Sequence, residues 1–153
     1  MSRSINKFIK PELIPEFVRL CREAGLSVIV TRTDTTLAEQ TALYAQNREP
    51  LDVVNRIRRQ AGMAGITEKE NSYKVTWTMR SRHLPDSNGL SHAFDFGVIY
   101  VGKYMTDVKA DVDKDNIPDY LECAIIGEKL GLKSGRTFPN PDYPHLEYRG
   151  GVK

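Results

Sequence analysis

Three histidines and a few carboxylates carry most of the chemistry this chain could do. His83 stands two residues after Ser81 in "SRHLPDSNGLSHAFDF", and Asp95 sits near the end of the same stretch. Far downstream, in "PNPDYPHLEYRG", His145 follows Asp142 by three residues. A hydrolytic zinc site takes about three protein ligands, commonly imidazole or carboxylate, and leaves one position for water. It also needs a general base within reach of that water. His83, Asp95 and His145 are the candidate ligands, and Asp142 is the candidate base. Singly, each has an ordinary alternative. A lone histidine beside a strand is commonly structural. Asp95, inside "AFDFGV", is less ordinary, because strand interiors disfavour Asp and a half-buried carboxylate needs a partner. That partner is a metal, or an arginine such as Arg32 or Arg80. His92 is a rival ligand, but alternation along a strand separates it from Ala93 and Asp95, which share a face.

A second acidic constellation lies in "DVDKDNIPDYLE". Asp111, Asp113, Asp115, Asp119 and Glu122 occupy positions 1, 3, 5, 9 and 12 of an EF-hand-type calcium loop, with the Ile117 carbonyl at position 7. Asn116 stands where that loop has its turn glycine, Pro118 removes an N–H, and no clear helix precedes the segment. A calcium loop and a solvated acidic loop whose Asp119 favours a helix N-terminus both remain open.

The elements that must position these groups are legible in outline. A helix is expected from Pro15 to Ala24, with Ile14, Phe17, Val18 and Cys21 on one face and Gly25 as its stop. "LSVIVTRT" reads as a strand. Thr36 and Glu39 have capping-box spacing and open a helix expected from Leu37 to Arg48. A further helix runs from about Leu51 to Ala61. "YKVTWTM" (Tyr73–Met79) alternates like a strand, and "AFDFGVIYV" (Ala93–Val101) is the next. Pro118 suits the first turn of a helix reaching Leu130, closed by Gly131. The proline-stiffened tail leads into a short last strand. Adjacent strands would then bring His83, Asp95 and His145 to one face of a sheet. Strands outnumber crossover signals, so the expected class is α+β.

With 153 residues, the chain has the length of one domain, able to bury a core without disulfides. Cys21 and Cys123 show no metal spacing and read as buried thiols. A net charge of +2, from 22 basic and 20 acidic residues, argues against broad phosphate binding and so against a nucleic-acid partner. Arg56, Arg58 and Arg59 read as a solvated helix face. The N-terminus has no long apolar run, so neither a secretory signal nor a membrane span is expected.

Taken together and in order, these residues resemble a known family, the zinc peptidoglycan peptidases that include D-alanyl-D-alanine carboxypeptidases and phage L-alanyl-D-glutamate endopeptidases. Its hallmark is Ser-x-His, then Ala-x-Asp, then Asp- or Glu-x-x-His near the C-terminus. Here these are Ser81-Arg82-His83, Ala93-Phe94-Asp95 and Asp142-Tyr143-Pro144-His145. "AEQTALYAQNR", "VTWT" and "LGL" are similar to further family segments, and the likeness runs from about Val28 to Tyr148. The resemblance implies a Hedgehog/DD-peptidase-like domain with a small antiparallel sheet carrying the zinc site and helices packed on it. It implies zinc on His83, Asp95 and His145, with Asp142 as proton shuttle. Arg32 would stabilise an oxyanion or hold a substrate carboxylate, its alternative being a salt bridge to Asp34 or Glu39. Ser81 would orient the site. Asp rather than Glu at position 142 looks more like the phage endopeptidases, which act on the stem peptide of peptidoglycan. Such an enzyme would be a monomer made in the host cytoplasm and released with a holin's help, with no separate wall-binding domain.

The departures from the family pattern are specific. Twelve positions separate His83 from Asp95, a wider gap than in many members, and "PDSNG" in that gap could serve as a local lid. Ser91 replaces the usual glycine, and "KSGRTF" replaces a tryptophan-rich segment. A carboxypeptidase or dipeptidase, a metal-dependent nuclease and a non-catalytic zinc module are the rival functions.

Overall fold

The computed structural model describes residues 5–150; the first four residues of the N-terminus, expected to carry no signal, lie outside the described residues. The chain forms α1 (Leu13–Glu23), β1 (Ser27–Arg32), α2 (Leu37–Ala45), α3 (Leu51–Gln60), β2 (Ala93–Tyr100), β3 (Lys103–Met105), α4 (Asp119–Lys129), β4 (Lys133–Gly135) and β5 (Asp142–Glu147). The strands make one antiparallel sheet in the order β1-β2-β5-β4, with β3 also paired to β2. Four helices and a small antiparallel sheet are the expected α+β architecture.

Alternation along β2 divides the molecule into a core and a working face. Phe94, Phe96 and Val98 point into the core, where Phe17 of α1 meets Phe94 and Phe96 edge-on at 5.7 and 5.1 Å. Phe8 caps Phe94 at 5.1 Å, and Tyr120 of α4 stacks on Phe96. Burying each such ring stabilises the fold by about 1.5–3 kcal/mol. Leu146 enters the same core from β5. The intervening residues, Asp95 on β2 and His145 and Glu147 on β5, are therefore set on the opposite face. α4 lies close against β5 because Gly127 has no side chain: a Cβ there would stand 2.6 Å from a Leu146 methyl. Cys21 and Cys123 are free, buried thiols between α1 and α4. The Cys21 thiol beside it, together with burial, pushes the Cys123 thiol up.

The expected elements at α1, β1, α3, β2 and α4 form within a few residues of their predicted ends. α2 begins with the capping box: Thr36 accepts from the Glu39 N–H at 3.1 Å, and Glu39 from the Thr36 N–H at 2.9 Å. It stops at Ala45 rather than Arg48 because Asn47 turns left-handed (φ 65°) and binds Asn71 instead.

The expected strand over Tyr73–Met79 does not form. Its backbone carbonyls are taken by side chains of α2 and the turn after it. Gln40 donates to Thr78 O (2.7 Å), Gln46 to Tyr73 O (3.2 Å) and Arg48 to Thr76 O (3.1 Å). Nor does the alternation mark a buried face, since Tyr73, Val75 and Trp77 are all exposed. The segment is an extended strap that delivers Ser81 and His83.

A candidate metal centre on the sheet

His83 comes from a turn, not from a strand, and that turn is fastened at several points. The Ser81 hydroxyl accepts from the His83 N–H at 3.1 Å, and the His83 carbonyl accepts from the Thr35 N–H at 2.9 Å. The ring is 1% exposed. Its Nδ1–H donates to the Thr33 carbonyl at 2.7 Å, which turns Nε2 toward Asp95 Oδ1, 3.1 Å away. Ser91 has its buried hydroxyl 2.9 Å from the same Thr33 carbonyl and 2.6 Å from that of Ala93. The serine thus ties the turn to the start of β2.

His145 faces Asp95 across the β2–β5 ladder. Its Nδ1 lies 3.4 Å from Asp95 Oδ1, while Nε2–H donates to Glu147 Oε1 at 2.8 Å. The two imidazoles meet edge-to-face with centroids 5.1 Å apart. His83, Asp95 and His145 each offer one donor atom, all within 4.8 Å of one another. Two neutral-capable imidazole nitrogens and a carboxylate oxygen, mostly buried, fit zinc by donor type and number. Each histidine spends its other nitrogen on a fixed acceptor, as metal-ligating histidines do.

Arg32 reaches the cluster through a fault in the sheet. Val28 and Val30 of β1 face the core side, and uninterrupted alternation would send Arg32 there too. Pairing slips between Val30, opposite Phe96, and Arg32, opposite Asp95. That bulge turns the guanidinium to the other face, where Nε and Nη2 lie 3.1 and 3.0 Å from Asp95 Oδ2. Arg32 thus pairs with Asp95, not with Asp34 or Glu39, and Arg80 is not the partner. Burial alone would raise the Asp95 carboxyl. The charge of His83, hydrogen bonds from His145 and His83, and Arg32 outweigh it and hold the group well below the usual carboxylate range.

Asp142 and His145 share the last strand, which begins at Asp142 and so takes in part of the proline-stiffened tail expected to lead into it. Three residues apart on a regular strand, they would point to opposite faces. Opposite Ser134 and Gly135 of β4, however, the partner residues are Leu146 and Asp142, so Tyr143, Pro144 and His145 bulge out. Both side chains then line one cleft with Arg32, His83, Ser81 and Phe138. Gly135 is what lets the strands close there, since a Cβ on it would lie 2.4 Å from the Asp142 carbonyl oxygen. Loss of solvation raises the Asp142 carboxyl, and the neighbouring charge of Asp95 raises it further. A base poised above the ordinary aspartate range suits a proton shuttle.

One residue of the site was missed in the sequence. Glu147 is 2% exposed and accepts from His145, from Arg149 Nε at 2.5 Å, and pairs with Arg82 Nε at 3.2 Å. The signal was its place two residues after a candidate ligand on the same strand face. His92 is excluded as a ligand: Asp86 holds its Nε2 at 2.8 Å. The "PDSNG" segment is no lid. Asp86 folds it into a turn by accepting from the Asn88 and Leu90 N–H groups, and none of its residues lines the clefts at the site.

Two clefts meet at Arg32. One, of about 410 Å³, contains Asp142, His83 and His145 and is bordered by Val75, Trp77 and Arg80. The other, of about 540 Å³, runs along α2 and α3 past Glu39, Arg58 and Met63 and ends on Asp95. Arg58, one of the three clustered arginines, faces this second cleft while its Nε donates to Ala64 O.

No family model matches the chain, and no curated protein matches it. Among solved structures, it is similar to the crystal structure of the Serratia marcescens L-Ala D-Glu endopeptidase ChiX. The TM-score is 0.54 at 18% sequence identity, over 95% of this chain and 83% of the other. The likeness establishes a shared fold.

Proposed function

We propose that this chain is a zinc-dependent peptidoglycan peptidase that cleaves the L-alanyl–D-glutamate bond of the stem peptide, as a phage endolysin does. The His83–Asp95–His145 cluster with Asp142 in the same cleft is the observation that carries this reading. The Serratia enzyme of like fold is named for that bond, which supports the choice.

Zinc held by His83 Nε2, Asp95 and His145 Nδ1 would supply Lewis acidity toward the scissile carbonyl and make water a stronger acid. The residues of the chain do the rest. Asp142 takes a proton from the attacking water and returns it to the leaving amine. Arg32 holds Asp95 in place and presents positive charge at the junction of the clefts, where a developing oxyanion or a substrate carboxylate would lie. Glu147 fixes the His145 ring, and Ser81 fixes the His83 turn. Clefts on both sides of Arg32 leave room for chain on both sides of the cut bond, which favours an internal bond over a terminal one. Trp77, 58% exposed at the rim, offers an apolar face to a sugar or peptide.

Among the described residues no helix is long and apolar enough to cross a membrane. We place the enzyme as a monomer made in the infected cell and released to the wall through a holin. Digestion of defined muropeptides, read by mass spectrometry, tests the bond. New L-alanine C-termini are expected. Release of free D-alanine would instead make the enzyme a carboxypeptidase.

A further inference from the structure

We propose that the segment from Asp111 to Glu122 is a calcium site, and that its occupancy braces α4 against the strands that carry Asp95 and His145. The carboxylates form two groups that share Asp113: Asp111, Asp113 and Asp115, and Asp113, Asp119 and Glu122. Within each group, one oxygen per residue lies within 4.8 Å of the others. An acidic cluster alone would not define a site; the buried oxygens do. Asp119 is 1% exposed. Its Oδ2 accepts from the Val112 N–H at 2.8 Å, but its Oδ1 has no hydrogen-bond partner. Asp113 Oδ1 and Glu122 Oε1 are likewise buried and unpartnered.

A buried acceptor without a donor is costly, and three from one cluster need a common answer. No lysine or arginine among the described residues forms an ion pair with these groups. Instead the carboxylates act on one another: loss of solvation, then Asp115 and Asp113, push Glu122 up to about 7, and Asp119 and Asp113 are raised as well. A cation answers both the charge and the missing donors.

Oxygen-only donors select a hard ion. The 1, 3, 5, 9, 12 spacing in a pliable loop, with the Ile117 carbonyl at position 7, suits the larger, many-coordinate calcium over octahedral magnesium. Asn116 supplies the left-handed turn (φ 69°) that glycine gives an EF-hand. No helix leads into the loop, so this is a lone calcium loop rather than half of a helical pair.

The link to the sheet is direct. Asp119 and Glu122 lie in the first turn of α4. Tyr120 between them accepts from the Val98 N–H of β2 at 3.1 Å and donates to Met105 O of β3 at 2.5 Å. Two residues before its end, α4 closes on Leu146 through Gly127, and Leu146 stands between His145 and Glu147. A cation would fix the start of that splint. The site stands independently of the peptidase reading.

The test is calorimetric titration of the full chain, in calcium-depleted buffer, with calcium chloride, paired with thermal melts. One calcium per chain with a dissociation constant of about 10⁻⁶–10⁻⁴ M is expected, with a higher melting temperature. Asp113→Asn should weaken binding at least about tenfold, and Glu122→Gln likewise. Both remove repulsion and so should fold; their melts without cation check this. His145→Ala should keep the calcium response. No heat and no melting shift at about 10 mM calcium would overturn the proposal. So would equal binding of magnesium, or a response lost in His145→Ala but kept in Asp113→Asn.

Discussion

Arg32 and Asp95 face each other because β1 slips by one residue against β2 just before Arg32. The guanidinium sits on Asp95 Oδ2, while Oδ1 faces both histidines. Arg32 therefore orients Asp95, and under the proposed function it also faces substrate. Arg32→Ala should lower turnover about 10²-fold and weaken zinc about tenfold, with the fold retained. Arg32→Lys, which keeps the charge but not the fork, should recover only part of either. Wild-type turnover in Arg32→Ala would remove the residue from the mechanism.

Gly135 governs how closely β4 approaches Asp142. A methyl there meets a backbone carbonyl, which no side-chain rotation can relieve. Gly135→Ala should destabilise by about 1–3 kcal/mol and reduce turnover, because Asp142 and His145 move with the displaced strand. Chemical denaturation and rate measurement check both. An unchanged rate at unchanged stability would show that the bulge does not set the site.

Glu147 is 2% exposed and reaches the proposed centre through the His145 ring, so under the proposed function it acts by positioning. Glu147→Gln keeps the shape but loses the charge that orders His145, Arg82 and Arg149. Zinc affinity should fall about 10–100-fold in competition with a chelator. Turnover at saturating zinc should fall far less. A large loss of rate with zinc affinity intact would mean that Glu147 acts on the reaction itself.

Metal binding should release protons. In the metal-free chain, burial works against a charged His145, but hydrogen bonds to Asp95 and Glu147 and the charges of Asp95 and Asp142 prevail, pushing it up to about 9. The raised group stabilises the metal-free fold fully below its ordinary 6.5, and that contribution fades as pH rises through about 9. Zinc on Nδ1 must displace the added proton. Titration at pH 7 in buffers of different ionisation enthalpy should therefore show about one proton released from this residue, with the release vanishing well above pH 9. No release at pH 7 would contradict a His145 held protonated by Asp95 and Glu147 in the metal-free chain.

Much of this was legible from residue type and order. The capping box at Thr36 and Glu39 and the alternation of Phe94, Asp95 and Phe96 are local patterns with local physical causes, whereas His83, Asp95, Asp142 and His145 are legible as a set only through their order along the chain and the family resemblance it carries. The two bulges were not legible. A register shift depends on which strand pairs with which, and nothing in "VIVTRT" or "DYPHLE" announces it. Tyr73–Met79 misled because its alternation is real while its hydrogen-bond partners are side chains of Gln40, Gln46 and Arg48, far away in sequence. Glu147 is not legible because a carboxylate two residues from Arg149 reads as surface until its burial is known.

The most direct test of the central claim is zinc content by elemental analysis of wild type and Asp142→Ala, purified without chelators, with both proteins assayed on purified sacculi. The account predicts about one zinc per chain in each, and a loss of turnover of about 10² or more in the variant. A wild-type protein without zinc, or a variant that cleaves stem peptides at the wild-type rate, would contradict it.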